Sequence, residues 1–235
     1  MSRPHVTAGD VPSALFPSDN EFGIPVLDVE KQAEIIDAPV TRWGRETRKS
    51  RMRGTWHFYT DDYRFSALWA RPQDLVNSGC VSAIECNFSV HAQTPRAVAI
   101  YRTFQKRYLA RLWQAHGVRI VVDLNVATEH ADINLLGVPP GWRAYATRGA
   151  AERLDDLDRE HAMAAERAGC VPTFLVYGGG KAVRAHTERR GWIWIPEEAD
   201  RRRAWVADLE LGAVAAAGGA ALRLKPSPPG QGPTA

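Results

Sequence analysis

Asp61, Asp62, Glu85, Asn87 and Asp123 are the residues of this chain best placed to do chemistry, because each stands where an apolar run stops. In Cys80-Val81-Ser82-Ala83-Ile84-Glu85-Cys86-Asn87-Phe88-Ser89 the apolar residues run to Ile84, and Glu85, Asn87 and Ser89 follow. The same design ends Thr55-Trp56-His57-Phe58-Tyr59 at Asp61-Asp62, and Val118-Arg119-Ile120-Val121-Val122 at Asp123 and Asn125. Later runs close on Thr147-Arg148-Gly149 and on Tyr177-Gly178-Gly179-Gly180. Carboxylates from separate segments, here Asp62, Glu85 and Asp123, can share a divalent metal such as Mg²⁺ or Mn²⁺ through oxygen ligands. A crowded pair can instead raise one pKa and supply a general acid or base. Asp61, Asp62, Glu85, Asn87 and Asp123 are therefore the catalytic candidates. Ser89, Asn125, Arg148, Tyr177, Gly178 and Gly179 are the substrate-binding candidates. The competing reading is local: Asp61 and Asp62 cap the next helix, and Asp123 holds a loop by backbone hydrogen bonds.

Those residues share a mouth only if the segments before them are parallel strands. Strands are predicted at 55–59, 81–86, 118–123, 142–146, 172–177 and 192–195, with helical or turn segments between them. The clearest helix starts at Pro95, a favoured first-turn residue, and stops at Gly117. Its apolar stripe is Val98, Tyr101, Phe104, Tyr108 and Leu112, with Arg102, Lys106, Arg107 and Arg111 off the stripe. Further helices are expected at about 150–168, after Gly180 and at 197–211. Strands spaced by helices pair in parallel through right-handed crossovers. About six such β/α units predict an α/β protein with an incomplete or irregular TIM-like barrel; an open doubly wound sheet is the alternative. In either form ligands bind at the carboxyl ends of the strands.

A second kind of chemistry is suggested by Arg42, Arg45, Arg48, Lys49, Arg51 and Arg53, a basic run with Trp43 inside it and a single acid, Glu46. Such a run can follow a phosphate backbone, and an exposed arginine face on the 96–111 helix would extend it. A solvated loop is the plainer reading. Gly178-Gly179-Gly180-Lys181 could cradle a phosphate at a helix start, although GxxxxGK[ST] is absent. No GxSxG, HExxH or GxGxxG occurs, and the histidines show no ligand spacing. His57 and His91 flank the strand ends and read as core or loop histidines.

Bulk properties bound the rest. The 235 residues, 45% hydrophobic and 24% charged, fit one soluble α/β domain of ordinary size. An irregular basic leader packed on the body is expected over 1–54, the α/β domain over 55–211, and a low-complexity tail over 212–235. Phe16, Phe22 and Ile24 are expected to pin the leader. No apolar stretch approaches the ~18 residues of a membrane span, and no secretory signal opens the chain, so a cytoplasmic protein without membrane partners is expected. Three cysteines, Cys80, Cys86 and Cys170, read as free thiols. A net charge of +3 is too small to announce a nucleic-acid binder by itself. Of thirty basic residues only five are lysine, and arginine forks suit phosphate and carboxylate.

Several pieces together resemble domain-of-unknown-function family 4417, found in phages and other mobile elements. They are Phe22-Gly23-Ile24-Pro25, Phe58-Tyr59-Thr60-Asp61-Asp62-Tyr63-Arg64-Phe65, Trp69-Ala70-Arg71-Pro72, Asn87-Phe88-Ser89, Pro95, Gln114-Ala115-His116-Gly117, Gly137-Val138-Pro139 and Val176-Tyr177-Gly178. The family tends to have Pro-Asp-Phe-Ser where this chain has Cys86-Asn87-Phe88-Ser89. If that Asp is a catalytic base, Glu85 would have to stand in for it here. The resemblance implies a phage or mobile-element setting and no established activity. Three readings follow: an enzyme acting on nucleic acid or nucleotides through the acidic rim, a non-catalytic DNA- or RNA-binding accessory protein using its arginines, and a barrel that processes carbohydrate or another small molecule. The clustered strand-end carboxylates favour the first.

Overall fold

The computed structural model describes residues 15–44, 52–197 and 200. Its frame is one sheet of seven parallel strands in sequential order: β1 Val40–Arg42, β2 Thr55–His57, β3 Ser82–Ile84, β4 Arg119–Asp123, β5 Ala144–Arg148, β6 Thr173–Tyr177 and β7 Ile193–Ile195. The helices are α1 Ala67–Ala70, α2 Gln73–Asn77, α3 Arg96–Ala115, α4 Ala131–Asn134, α5 Leu154–Ala168 and α6 Gly180–Arg189. The six expected strands are present, and the incomplete barrel is the form they take. The seventh, β1, lies in the segment read as leader; three residues after a proline carry too short an alternation to show.

The sheet curls rather than lying open. His57 on β2 and Tyr177 on β6 bring their rings within 4.3 Å. In a flat sheet four strand spacings, roughly 19 Å, would separate them. Period-two alternation then sorts side chains into two cores. Tyr59, Ile84, Val121, Ala144, Ala146, Leu175 and Tyr177 fill the lumen. Trp56, Phe58, Ala83, Val122, Tyr145, Phe174 and Val176 face outward into the helix layer with Leu109, Trp113 and Leu157. The leader closes the bottom: the Ala33 N–H donates to Ile120 O at 2.9 Å, and Ala33 and Ile36 pack against the lumen residues. Phe16 packs against Tyr108 with the rings tilted and their centroids 5.5 Å apart, and Ile24 is fully buried, but Phe22 is 42% exposed.

α3 departs from its expected stripe. Val98 and Tyr101 are each 43% exposed, whereas Lys106 and Arg107 are 3% and 0% exposed. The true inner stripe is Ala99, Thr103, Lys106, Ala110 and Trp113, with Arg107 beside it. Two cations on that face conceal it from any hydrophobicity pattern, and they remove Lys106 and Arg107 from the expected nucleic-acid surface. α5 ends at Gly169 (φ 67°) and α3 just before Gly117 (φ 89°), both glycine stops where the sequence places them. All but residues 197 and 200 of the expected helix at 197–211 lie outside the described residues, as do the tail and Arg45, Arg48, Lys49 and Arg51 of the basic run.

Candidate functional site

The strands' carboxyl ends open into a cleft of about 1350 Å³. Every strand but β7 ends or continues into its wall: Arg42 from β1, Tyr59 to Asp61 after β2, Asn87 and Ser89 after β3, Asn125 after β4, Arg148 and Gly149 from β5, and Tyr177 from β6. Glu197 follows β7 by two residues and lines it too. Of the candidates, Asp61, Asn87, Ser89, Asn125, Arg148 and Tyr177 thus do share one mouth. The sequence reading missed Arg42 in this role, together with Tyr59, Glu129, Glu152, Arg153 and Asp156. The last three belong to the helical segment at 150–168, whose charged face carried no mark separating cleft residues from solvated ones.

The carboxylates assigned to a shared metal do not converge. Among the described residues no group of three acidic, histidine or cysteine side chains is arranged to hold a metal ion. Asp62 accepts from the Ser89 hydroxyl at 2.9 Å and from its backbone N–H at 3.2 Å, joining the loops after β2 and β3. Glu85 is fully buried on the outward side of β3 and forms an ion pair with Arg107. Its Oε2 accepts from the Asp123 N–H at 3.2 Å. Arg107 also donates to the carbonyls of Asn134 (2.5 Å) and Leu136 (3.0 Å). Glu85 therefore cannot stand in as a base facing the cleft. Asp123 takes a hydrogen bond from Lys106 Nζ at 3.3 Å and one from the Tyr59 hydroxyl at 3.2 Å. Burial holds the Asp123 carboxyl above the ordinary range, and Lys106 opposes that rise. Tyr59 is pushed up by burial and by the Asp123 charge, so its phenol keeps its proton. These two ion pairs bind α3 to the floor of the mouth.

Above that floor the amides meet: Asn125 Nδ2 donates to Asn87 Oδ1 at 3.0 Å. An Asp at position 87 would accept the same bond, so that substitution would keep the contact and add a charge. Arg148 lies 3.9 Å from Glu197, and Arg153 binds Asp156 at 2.6 Å. Gly178 and Gly179 sit behind the wall. The Gly178 N–H donates to Ile195 O and its carbonyl accepts from the Trp194 indole, so this residue serves the sheet rather than a phosphate. His91 lines the cleft, while His57 is buried beneath it between Tyr59 and Tyr177. Arg42 and Arg53 lie at opposite ends of the sheet, since one closes β1 and the other precedes β2.

Residues 16–160 match the family model described as a domain of unknown function, DUF4417. The chain belongs to this family. The family region carries β1 to β5 and most of the cleft, from Arg42 to Asp156, while Tyr177 and Glu197 come from beyond it. The chain is similar to the "Gene 1 protein" of Mycobacterium phage D29, 27% identical over 132 residues, covering 54% of this chain and 48% of the relative. It is also similar to the "Gene 1 protein" of Mycobacterium phage L5, 25% identical over 151 residues, 62% of this chain and 64% of the relative. The chain spans about half the length of the first and less than two thirds of the second. These relatives agree with the phage association that the family resemblance implied. No solved structure matches significantly. No described helix is long and apolar enough to cross a membrane.

Proposed function

We propose that this protein is an enzyme acting on nucleic acid or nucleotides, with its substrate lying across the C-terminal mouth. The observation that supports the reading is the cleft lining. Arg42, Arg148 and Arg153 share one cavity with Asp61, Glu129, Glu152, Asp156 and Glu197 and with the Asn87–Asn125 amide pair. Guanidinium forks suit phosphate, amides suit base edges or sugar hydroxyls, and rim carboxylates are the groups placed to move protons. At about 1350 Å³ the cleft exceeds the ~300–1,000 Å³ of ordinary small-molecule pockets, which favours an extended ligand such as a short strand. The buried pairs Glu85–Arg107 and Asp123–Lys106 act as its scaffold, so acid–base work falls to the rim. Burial of Lys106 and Arg107, and the separation of Arg42 from Arg53, argue against a purely electrostatic binding protein.

The test is titration of mononucleotides and short single-stranded DNA and RNA, by calorimetry and fluorescence anisotropy, with and without Mg²⁺ or Mn²⁺, followed by product analysis. Arg148→Ala and Asn125→Ala should each weaken binding about tenfold, as the loss of one charge-assisted or buried hydrogen bond predicts. Neither binding nor turnover with any of these ligands, in any metal condition, overturns the reading.

A further inference from the structure

A second, smaller space adjoins the cleft. A chamber of about 40 Å³ lies between α4, α5 and the loop after β4, walled by Leu124, Ala131 and Met163 together with Asn134 and Glu160. Val126, Thr128 and Asp156 line both the chamber and the cleft, so the two share a wall. Its surface is apolar apart from a few polar atoms, two of which are notable. Asn134 is 2% exposed; its Nδ2 donates to Asp123 O at 3.0 Å, while its Oδ1 has no hydrogen-bond partner among the described residues. Glu160 Oε2 is likewise out of solvent and makes no well-aligned hydrogen bond among the described residues; the Thr147 hydroxyl stands beside its carboxyl, itself unmatched there. Buried polar atoms are rarely left in this state, because each costs ~1–3 kcal/mol. Two of them on one small chamber beside a large cleft point to a ligand group.

We infer that the chamber is a subsite of the cleft that receives one small uncharged N–H donor, such as an amino group on a ligand lying in the cleft, held between Asn134 Oδ1 and the Glu160 carboxyl. The inference rests on the reading of the cleft as a ligand site and names the group it selects. Size limits the guest, since about 40 Å³ admits a few water-sized groups, an amino or amide among them, and no base or sugar ring. Charge limits it as well. Burial pushes the Glu160 carboxyl up to about 8, so near neutrality it carries no charge, and Asp156, the other carboxyl on the wall, is already paired with Arg153 and Arg159. A guest without an N–H would leave the Asn134 Oδ1 acceptor unmatched, which is how buried polar groups discriminate strongly.

The probe is formamide, followed by nuclear magnetic resonance of the Asn134 side-chain amide and the Glu160 carboxyl. Saturable shifts at both groups are expected, and Ala131→Leu, which fills the chamber from its wall, should abolish them while leaving the melting temperature unchanged or raised. Glu160→Ala should weaken formamide binding at least fivefold. In a second arm, adenosine nucleotides should bind at least tenfold tighter than purine riboside counterparts, whose base carries no N–H, and Ala131→Leu should erase the difference. No formamide shift at either group, or shifts that persist in Ala131→Leu, overturns the subsite. Formamide binding without any nucleotide binding sustains the subsite and removes the nucleotide reading of the cleft. Nucleotide binding without base preference overturns the subsite and leaves the cleft reading standing.

Discussion

Glu85, just past the end of β3, and Arg107, in the middle of α3, form an ion pair from which solvent is wholly excluded. A pair this deep is weak evidence of net stabilisation, but removing one partner strands the other charge in the core. Glu85→Ala should therefore destabilise the protein by about 3 to 5 kcal/mol in chemical denaturation. Arg107→Met should cost a similar amount, because the Asn134 and Leu136 carbonyls also lose their donor. The double variant Glu85→Leu/Arg107→Met should recover part of the loss. A Glu85→Ala variant as stable as the parent would show that this pair does not anchor α3.

Glu160 gives stability a pH dependence of unusual sign. Its folded carboxyl titrates at about 8, far above an unfolded glutamate near ~4.3, so the folded state binds this proton more tightly. Stability from this group is fully present below about pH 4, falls as pH rises toward 8, and levels off above it. The cost by pH 9 should be on the order of 2 kcal/mol, discounted for partial solvent access. Glu160→Gln should remove it, raising the melting temperature at pH 9 relative to the parent by roughly 4–8 °C and hardly at all at pH 5. Parallel pH profiles for the two proteins would contradict the assignment.

What the sequence disclosed and what it concealed follow from the same physics. Strand ends were legible because a buried parallel strand is an apolar run and its exit is polar, as at Tyr59 to Asp61 and Ile84 to Asn87. The gathering of Asp61, Asn87, Ser89, Asn125, Arg148 and Tyr177 at one mouth was legible for the same reason. Which way each acid points was not. Glu85 and Asn87 are two residues apart yet serve different ends, Glu85 closing on α3 and Asn87 lining the cleft, because the backbone after Ile84 leaves regular strand geometry. Lys106 and Arg107 were hidden because a helix face is read from its apolar residues, while this face buries two cations against acids that are distant in sequence. Asp62 was expected at a site and instead ties two loops together through Ser89, a contact no local pattern specifies.

Gly179 holds the rear of the mouth. It has φ 79°, and an added Cβ would strike the Val183 side chain and come within 2.8 Å of the Gly149 carbonyl carbon. A side chain here meets both backbone strain and backbone collision. Gly179→Ala should cost about 2 to 4 kcal/mol in denaturant titration, the sum of those two effects. Lys181→Ala, two residues on and exposed at the start of α6, should stay within about 0.5 kcal/mol of the parent. A neutral Gly179→Ala would mean that the loops after β5 and β6 can separate without loss.

Asn87 lines the cleft, and the geometry separates what an Asp in its place would preserve from what it would alter. The Asn87 side chain is 8% exposed, and its Oδ1 already accepts from Asn125 at 3.0 Å. Asn87→Asp keeps that acceptor, so folding stability at pH 7 should shift by no more than about 1 kcal/mol. Function should shift more. A carboxylate at this position adds a negative charge to a cleft wall on which Arg42, Arg148 and Arg153 are the cations, and phosphate binding should weaken about three- to tenfold at low salt. If an Asp here acts as a base, turnover per bound substrate should rise as binding falls, with a new acidic limb in the pH–rate profile. Weaker binding without any gain in turnover would confine residue 87 to recognition, and unchanged binding would place the phosphate away from the Asn87–Asn125 pair.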